Sequence, residues 1–305
     1  MPGSSDLDLI LAAIKAQVDA LHAHEAAARS GRDPEDVHQM RVAVRRLRAI
    51  LRVSRSLFDP KWVDGLRREL KWLGTALGRV RDLDVLHAYL RSQLKGLPAS
   101  ERRAGQHLLR HLAADHVRAR AALRDALASP RYARLLARLK AALVHPPVRT
   151  SAVSLLSIAS TEFKKLKKAV KKLPTQPSAA KFHAVRIKVK RTRYAAELLQ
   201  LVIGRRAEQF IDKAKKLQDI LGEHQDAVVV EEYLRKVTDR TRAAQALAQQ
   251  LIKHQRERRK QALTAFQEKW PKLKRRGRKA FSKVSTVLAS NRQGPSWSSY
   301  LARRR

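Results

Sequence analysis

Apolar residues recur at intervals of three and four along almost the whole chain, the spacing of amphipathic α-helices. Long stretches are uninterrupted, because 305 residues contain only 11 glycines and 11 prolines. Three helix starts are marked by a capping side chain directly before a proline, at Asp33-Pro34, Asp59-Pro60 and Ser129-Pro130. We therefore predict an all-α protein.

The pattern divides into ten predicted helices. In the first half these lie near residues 6–29, 35–57, 61–95, 100–127 and 131–143. After a turn at residues 145–147, they lie near residues 152–172, 179–203, 206–237, 241–269 and 277–289. Breaks are expected at residues 74–82 and at Gly222 within two of these helices.

The second half of the chain repeats the first. Residues 37–48 align with residues 182–193, and residues 71–82 align with residues 215–226. Repeats of this length predict two pseudo-symmetric helical bundles, a duplicated antiparallel bundle, and not a short-period solenoid. We place them at residues 1–148 and 149–290, before a flexible basic tail at 291–305. Residues 272–278 are also expected to be flexible.

Charge narrows the choice of partner. The chain carries 66 Lys and Arg against 27 Asp and Glu, a formal charge of +39, whose self-repulsion opposes compaction unless a polyanion or counterions neutralise it. The lack of cysteine excludes disulfides, thiol nucleophiles and cysteine-ligated metals. No apolar run reaches membrane-spanning length. We expect a soluble cytoplasmic protein with an anionic partner.

Two columns of cations are the candidate binding residues. At 100 degrees per residue, the first column occupies an arc of about 80 degrees on one helix, beside an apolar stripe, and the second repeats it. The first column consists of His38, Arg41, Arg45, Arg48 and Arg52. The second consists of His183, Arg186, Lys190 and Arg193. Columns that face each other would form a central basic groove or pore.

Phosphate chemistry suits such a groove. Like charges at helical spacing repel by about a few tenths of a kcal/mol per pair, so each column needs compensation. Guanidinium groups donate paired hydrogen bonds to phosphate oxygens and ammonium groups act as point charges. The histidine that heads each column is expected to gain charge as the pH falls toward about 6. The alternative is a solvated helix face, which recurrence in both repeats disfavours.

The sequence resembles the CHAD domain, the conserved histidine α-helical domain family, over nearly its whole length. Three motifs carry the resemblance: His38-x-x-Arg41-x-x-x-Arg45-Arg46-x-Arg48, its copy His183-x-x-Arg186-x-x-x-Lys190-Arg191-x-Arg193, and Leu77-Gly78-x-x-Arg81-Asp82-x-Asp84. The second half departs from the last motif, with Gln225 beside Asp226, so a role for Arg81 does not carry over. The resemblance implies binding of inorganic polyphosphate and, for some members, association with polyphosphate granules.

Residues paired by the repeat extend the candidate site. Lys71, with Arg67 and Arg68 on the same helix, and its repeat partner Lys215 are candidates for a second wall of the groove, and a plain exposed surface is the alternative. Asp82 and Asp226 are each predicted to orient a groove arginine through a bidentate salt bridge, and capping of a helix is the alternative.

Two further patterns favour an ordinary structural role. His107, His111 and Asp115 lie at successive steps of four, a spacing that can hold a metal ion, but the other repeat lacks it, and we predict neither a metal nor a cofactor. The run Glu162–Leu173 has six lysines opposite an apolar side. Core packing of that side is favoured over binding to an anionic membrane.

Catalysis has little support in the sequence. There is no phosphate loop, no dense cluster of carboxylates and no nucleophile-elbow pattern. We therefore expect a binding protein and not an enzyme. Binding of RNA or DNA through the same charge is the alternative, which is disfavoured because the columns have no interleaved aromatic residues for base stacking.

Overall fold

The computed structural model describes residues 4–95, 97–149, 154–237 and 242–282, and the all-α prediction is confirmed within them. The first half contains α1 (Ser4–Ser30), α2 (Pro34–Val53), α3 (Pro60–Leu94), α4 (Ala99–Ala128) and α5 (Pro130–Val144). The second half contains α6 (Leu155–Lys171), α7 (Ala179–Leu198), α8 (Gln200–Ile203), α9 (Arg205–Val237) and α10 (Arg242–Phe281). The predicted tail at 291–305 and most of the last predicted helix lie outside the described residues.

The three predicted helix starts are confirmed. The Asp33 carboxylate accepts from the backbone N–H of Glu35 at 2.8 Å, and the Asp59 carboxylate accepts from Trp62 at 2.7 Å. Ser129 accepts from the N–H of Tyr132 at 3.3 Å. In each case a proline lies in the first turn of the helix. Backbone N–H groups there have no partner within the helix, so the missing N–H of proline costs no hydrogen bond.

The expected break at residues 74–82 is wrong, because α3 continues through it. Gly74 makes room for α2, whereas an added Cβ at Gly78 would make only ordinary van der Waals contact. A Cβ on Gly74 would lie 3.2 Å from Val44 Cγ1, and a Cβ on Gly78 would lie 3.8 Å from Arg41 Cζ. Gly74 therefore marks a close approach of two helices, which sequence alone does not distinguish from a helix break.

Other predicted boundaries also need correction. Helix α9 is continuous through Gly222, and α10 is continuous from Arg242 to Phe281 although Pro271 lies inside it. The prediction that residues 272–278 are flexible is wrong, because this part of α10 buries Leu273 and Gly277. Two helices end early: α2 is followed by a 3-10 turn at Arg55–Leu57, and α7 is followed by α8.

The two halves pack in the same order. Helices α1, α2, α3 and α4 contact one another in sequence, and α6, α7, α9 and α10 do the same. The single helix α10 takes the place of α4 and α5 together, since it contacts α6 as α5 contacts α1. Contacts of α2 with α7 and of α4 with α10 join the halves.

The hydrophobic core runs across the predicted repeat boundary at residue 148. Its main cluster includes Leu47 and Leu70 from the first half and Val189 and Leu217 from the second. A smaller apolar cluster joins the C-terminal ends of α3 and α9 to the N-terminal halves of α4 and α10. Phe163 and Leu166 belong to the main cluster, which confirms that the apolar side of α6 is core. No helix in the described part of the chain is long and apolar enough to cross a membrane.

We expect Gly277→Ala to destabilise the protein by about 1–3 kcal/mol, because the Phe163 ring occupies the space that the added Cβ needs. Gly222→Ala is the matched control, since a Cβ there meets no atom within 4 Å. In a helix interior that change is expected to stabilise by up to about 1 kcal/mol. Urea denaturation of both variants measures the difference, and equal effects of the two substitutions would contradict this account.

Candidate functional site

Helix α2 carries its column of cations along the edge of a buried apolar stripe. Met40, Val44, Leu47 and Leu51 are each at most 1% exposed and hold the helix against the core. His38, Arg41, Arg45 and Arg48 flank this stripe and are half-buried, whereas Arg52 near the end of α2 is exposed. The cations therefore line a packed interface, as the helical spacing predicts.

Helix α7 presents its column in the same way. Val185, Val189 and Ala196 are buried, and His183, Arg186, Lys190 and Arg193 lie half-buried beside them. Helices α2 and α7 pack against each other, so the two columns converge. The strongest sign of convergence is at Lys190, whose ammonium group lies within the electrostatic influence of Arg41 and Arg45 from the other repeat.

Burial and like charges lower the pKa of several groove cations. Burial is the main cause for Lys190, followed by repulsion from Arg186, Arg45, Arg41 and Arg193, and together they lower its pKa to about 6. The pKa of Arg186 is also lowered, mainly by burial. Burial and then Arg81 hold the pKa of His38 below its ordinary value. His38 of the free protein therefore gains its charge at a lower pH than an ordinary histidine does.

The two repeated acids lie opposite the columns, but their contacts differ from the prediction. Asp82 Oδ1 accepts one hydrogen bond from Arg41 Nη1 at 2.7 Å, and the same nitrogen also donates to the carbonyl of Gly78 at 3.2 Å. The pair is thus not bidentate. Asp226 lies near Arg186, and partial burial is the main cause that raises its pKa. Both acids lie inside helices, so the capping alternative is wrong.

The two histidines that head the columns occupy equivalent places but have different neighbours. His183 Nδ1 lies 2.6 Å from the Gln225 Oε1 acceptor, at the position where the first half has Arg81. His38 lies close enough to Arg81 for its pKa to be affected. The replacement of Arg81 by Gln225 therefore leaves one histidine facing a cation and the other bonded to a neutral amide.

Residues of both repeats enclose a cavity of about 180 Å³ beside the head of the α2 column. The polar residues that line it are His38, Arg41, Arg45, Arg81, Asp82 and Asp226. Valine and leucine side chains from α2, α3 and α9 form the rest of the wall. Among the described residues that line it, neither Lys71 nor Lys215 is found.

Lys71 and Lys215 occupy equivalent places on α3 and α9 but differ in exposure. Lys71 is exposed, and it shares an arc of about 60 degrees on α3 with Arg67, Gly78 and Asp82. Lys215 is half-buried. The second wall at Lys71 and Lys215 thus stays a prediction, since both residues lie outside the cavity.

A second cluster of arginines lies toward the end of α2. Arg67 from α3 and Arg191 from α7 are both close enough to Arg52 for its charge to lower their pKa values, after the larger effect of burial. Arg48 belongs to the same cluster, since its charge also lowers the pKa of Arg67. The groove therefore continues from the cavity at His38 toward Arg52.

Arg67 was predicted beside Lys71, whereas sequence reasoning missed Arg81 and Arg191 as site residues. Arg81 is part of the turn motif and Arg191 is part of the motif that begins at His183, so both had a signal in the sequence. Arg191 lies outside the α7 column and reaches the cluster only because α2 and α6 pack beside it. Its place depends on tertiary packing.

The groove arginines retain unused hydrogen-bonding capacity. Within the described residues, the buried Nε atoms of Arg45, Arg48, Arg67, Arg186 and Arg193 have no hydrogen-bond partner, and neither has His38 Nδ1. Buried donors are paired in most proteins, so such a concentration is typical of a functional surface. Carboxylates are scarce here: Asp82, Asp226 and Glu197 stand against the seven Lys and Arg residues of the columns and Arg81.

The weak metal candidate is not assembled into a site. Asp115 is bonded to Arg118, with 2.5 Å between Asp115 Oδ1 and Arg118 Nη2. The side chain of His107 lies outside the described residues. Among the residues that are described, no group of three or more histidines and carboxylates is arranged to hold a metal ion.

Comparison with known sequences identifies the family. A profile of the CHAD domain matches residues 12–235. Two relatives from Mycobacterium tuberculosis, uncharacterized protein MT2285 of strain CDC 1551 / Oshkosh and uncharacterized protein Rv2226 of strain ATCC 25618 / H37Rv, are each 32% identical over 239 residues. Each match covers 74% of this chain and 45% of the relative, so the chain spans less than half the length of these relatives.

Two solved structures share the fold. PptA from Streptomyces chartreusis has a TM-score of 0.74 and 23% identity, covering 87% of this chain and 98% of that one, a similarity that shows the fold alone. The crystal structure of the CHAD domain from the plant Ricinus communis has a TM-score of 0.69 and 29% identity, covering 86% of this chain and 90% of that one. With the profile match over more than half of its residues, the chain belongs to the CHAD domain family.

Proposed function

We propose that the groove between α2 and α7 binds linear inorganic polyphosphate and holds it without reacting. The observation that carries the proposal is Lys190, a half-buried lysine surrounded by arginines of both repeats. An arrangement that forces like charges together at this density is stabilised by a polyanion that lies among them. Polyphosphate binding by some members of the CHAD family supports the same assignment.

The hydrogen-bonding groups suit a string of phosphates. Each guanidinium can donate two parallel hydrogen bonds to phosphate oxygens, and Lys190 can serve as a point charge. Hydrogen bonds to charged groups contribute about 1.5–3 kcal/mol each, and association costs about 4–15 kcal/mol. Six to eight contacts along the columns, roughly one for each cation, are enough to offset that cost.

The walls of the cavity favour a polymer without bases. Its apolar residues are Val42, Val85, Leu86, Val229 and Val230, and among the described residues no Phe, Tyr or Trp ring lines it. Base stacking on aromatic rings supplies much of the affinity for single-stranded nucleic acids. A bare phosphate chain needs only the cations. Association with polyphosphate granules would follow from this binding and is part of the proposal.

Replacement of Arg41, Arg45, Arg186 and Lys190 together by Ala is expected to abolish polyphosphate binding, because it removes the cations that converge from both repeats. The matched control is Arg102, Arg103, Arg110 and Arg124 replaced by Ala, four exposed arginines of α4. This control removes the same net charge away from the groove. Calorimetric titration at two salt concentrations measures both affinities, and wild-type binding should weaken steeply with salt.

Two results would overturn the proposal. One is a groove variant that stays folded and loses no more affinity than the α4 control does, since the groove cations would then contribute nothing beyond their net charge. The other is displacement of polyphosphate by single-stranded RNA at equal phosphate count and equal salt, which would favour nucleic acid as the ligand. Release of orthophosphate in the presence of Mg²⁺ would contradict the non-catalytic part.

Lys190→Met is expected to reduce the pH dependence of stability between about pH 7 and 9. The folded pKa of Lys190 is about 6, against an ordinary value of 10.5, so the unfolded chain binds more protons across this window. Stability from this group therefore rises with pH, by at most about 1.4 kcal/mol per pH unit. Urea denaturation at the two pH values tests this, and an unchanged slope in the variant would contradict it.

Polyphosphate binding is expected to be accompanied by proton uptake at about pH 7.5, because phosphate oxygens beside Lys190 restore its charged form. Calorimetric titration in two buffers of different ionisation enthalpy measures the uptake. Lys190→Arg fixes the positive charge and should reduce the uptake by up to about one proton per protein. Equal uptake in the wild type and in this variant would show that Lys190 is not the group that titrates.

A further inference from the structure

A second basic surface lies on α6 and the end of α10, on helices other than the two that carry the columns. Residues 162–172 contain six lysines and one acid, Glu162, and residues 269–279 contain seven basic residues and no acid. We call these thirteen side chains the lysine face. They are Lys164, Lys165, Lys167, Lys168, Lys171, Lys172, Lys269, Lys272, Lys274, Arg275, Arg276, Arg278 and Lys279.

Ten of these side chains are exposed and three are half-buried. Within the described residues, Lys165 has the only carboxylate partner of the set, with Lys165 Nζ 2.8 Å from Glu162 Oε1. Arg276 donates to the neutral amide oxygen of Gln209 at 2.7 Å, and Lys167 lies over the Phe163 ring at 5.2 Å. The positive charge of the lysine face is therefore almost uncompensated by the protein itself.

The two parts of the lysine face are held together by a rigid apolar contact. The Phe163 ring of α6 lies directly against Gly277 of α10. It also contacts Phe281 and Phe210, at centroid separations of 5.3 and 5.9 Å. The charges thus belong to a continuous surface on packed helices.

The other half of the molecule shows that the fold does not need this charge. Helices α1 and α5 occupy the equivalent place and together carry six basic and four acidic residues. Three of those six cations are paired: Lys15 with Asp19 at 2.8 Å, Arg29 with Glu25 at 2.7 Å and Arg131 with Glu69 at 2.6 Å. Since the same packing forms with balanced charge, the excess on α6 and α10 calls for an external anion.

The lysine face adjoins the end of the groove. A cavity of about 330 Å³ lies where α2, α6 and α7 meet, and Arg52, Arg191 and Lys165 all line it. Arg52 and Arg191 belong to the cluster at the end of the groove, and Lys165 belongs to the lysine face. Cations of the groove and of the lysine face therefore meet at this cavity, which Glu162, the partner of Lys165, also lines.

From this adjacency, and resting on the proposed function, we propose that the lysine face binds the part of a long polyphosphate chain that extends beyond the groove. A chain leaving the groove at Arg52 passes Lys165 and continues over α6 toward α10. The ammonium groups are exposed and strongly hydrated, so they attract the polymer without fixing the position of each phosphate. The affinity of the protein thus depends on chain length beyond the span of the α2 column, about 21 Å at 1.5 Å per residue.

The test compares two polymers and three proteins. The polymers are polyphosphates of about eight and about one hundred phosphates, at two salt concentrations. The proteins are the wild type, the variant with Lys164, Lys168, Lys171 and Lys172 replaced by Ala, and the α4 control variant with the same change in net charge. All four lysines are exposed and outside the groove, so circular dichroism is expected to report a folded helical protein.

We expect the lysine-face variant to bind the short polymer as the wild type does and the long polymer about tenfold to a hundredfold more weakly. The magnitude of the salt slope for the long polymer should fall by about two to three, since about 0.7 is lost per cation. The α4 control should lose less affinity. Failure of the wild type to bind the short polymer would refute the proposed function, and is distinguishable from failure of this extension.

Three outcomes would overturn the extension. The first is unchanged affinity of the lysine-face variant for the long polymer. The second is an equal loss of affinity in the α4 control variant, which would show that net charge alone explains the weaker binding. The third concerns phosphatidylserine vesicles. If the wild type binds them and the lysine-face variant does not, while that variant binds the long polymer as the wild type does, the surface would be assigned to a membrane.

Discussion

The packing of α2 against α7 is the contact on which the candidate site depends. Val44 and Leu47 of α2 and Val189 of α7 are buried in one apolar core, which holds the two helices in this arrangement. Burial of each such side chain contributes about 1.5–3 kcal/mol, whereas each pair of like charges at helical spacing costs about a few tenths of a kcal/mol. The apolar stripes are therefore strong enough to hold cations of both repeats in one groove, at the expense of a low pKa at Lys190.

The duplication supplies the groove, and its departures from symmetry determine the local electrostatics. Arg41 is bonded directly to Asp82, whereas Arg186 interacts with Asp226 without a direct hydrogen bond among those described. The exchange of Arg81 for Gln225 places a cation beside one histidine and a hydrogen-bond acceptor beside the other. Two histidines with the same place in the fold thus have different neighbours, and burial together with Arg81 holds the pKa of His38 below its ordinary value.

The division between arginine and lysine follows the two surfaces. Planar guanidinium groups dominate the half-buried groove, where directional hydrogen bonds and partial desolvation favour them. Ammonium groups dominate the exposed surface of α6, where a hydrated point charge acts without fixed geometry. Helices α1 and α5, at the equivalent place in the first half, are nearly neutral. The fold therefore forms without the surplus of positive charge that α6 and α10 carry.

The sequence by itself determined the helical class, the duplication, the helix starts at Asp33, Asp59 and Ser129, and the membership of the two columns. These features depend on local spacing and capping, which neighbouring residues in the chain decide. Only the tertiary structure decided that Gly74 admits α2 instead of breaking α3, that residues 272–278 continue α10, and that Arg191 joins Arg52. Each of these depends on residues distant in the chain, because the space around a glycine and the charge around an arginine are set by the helices packed against them.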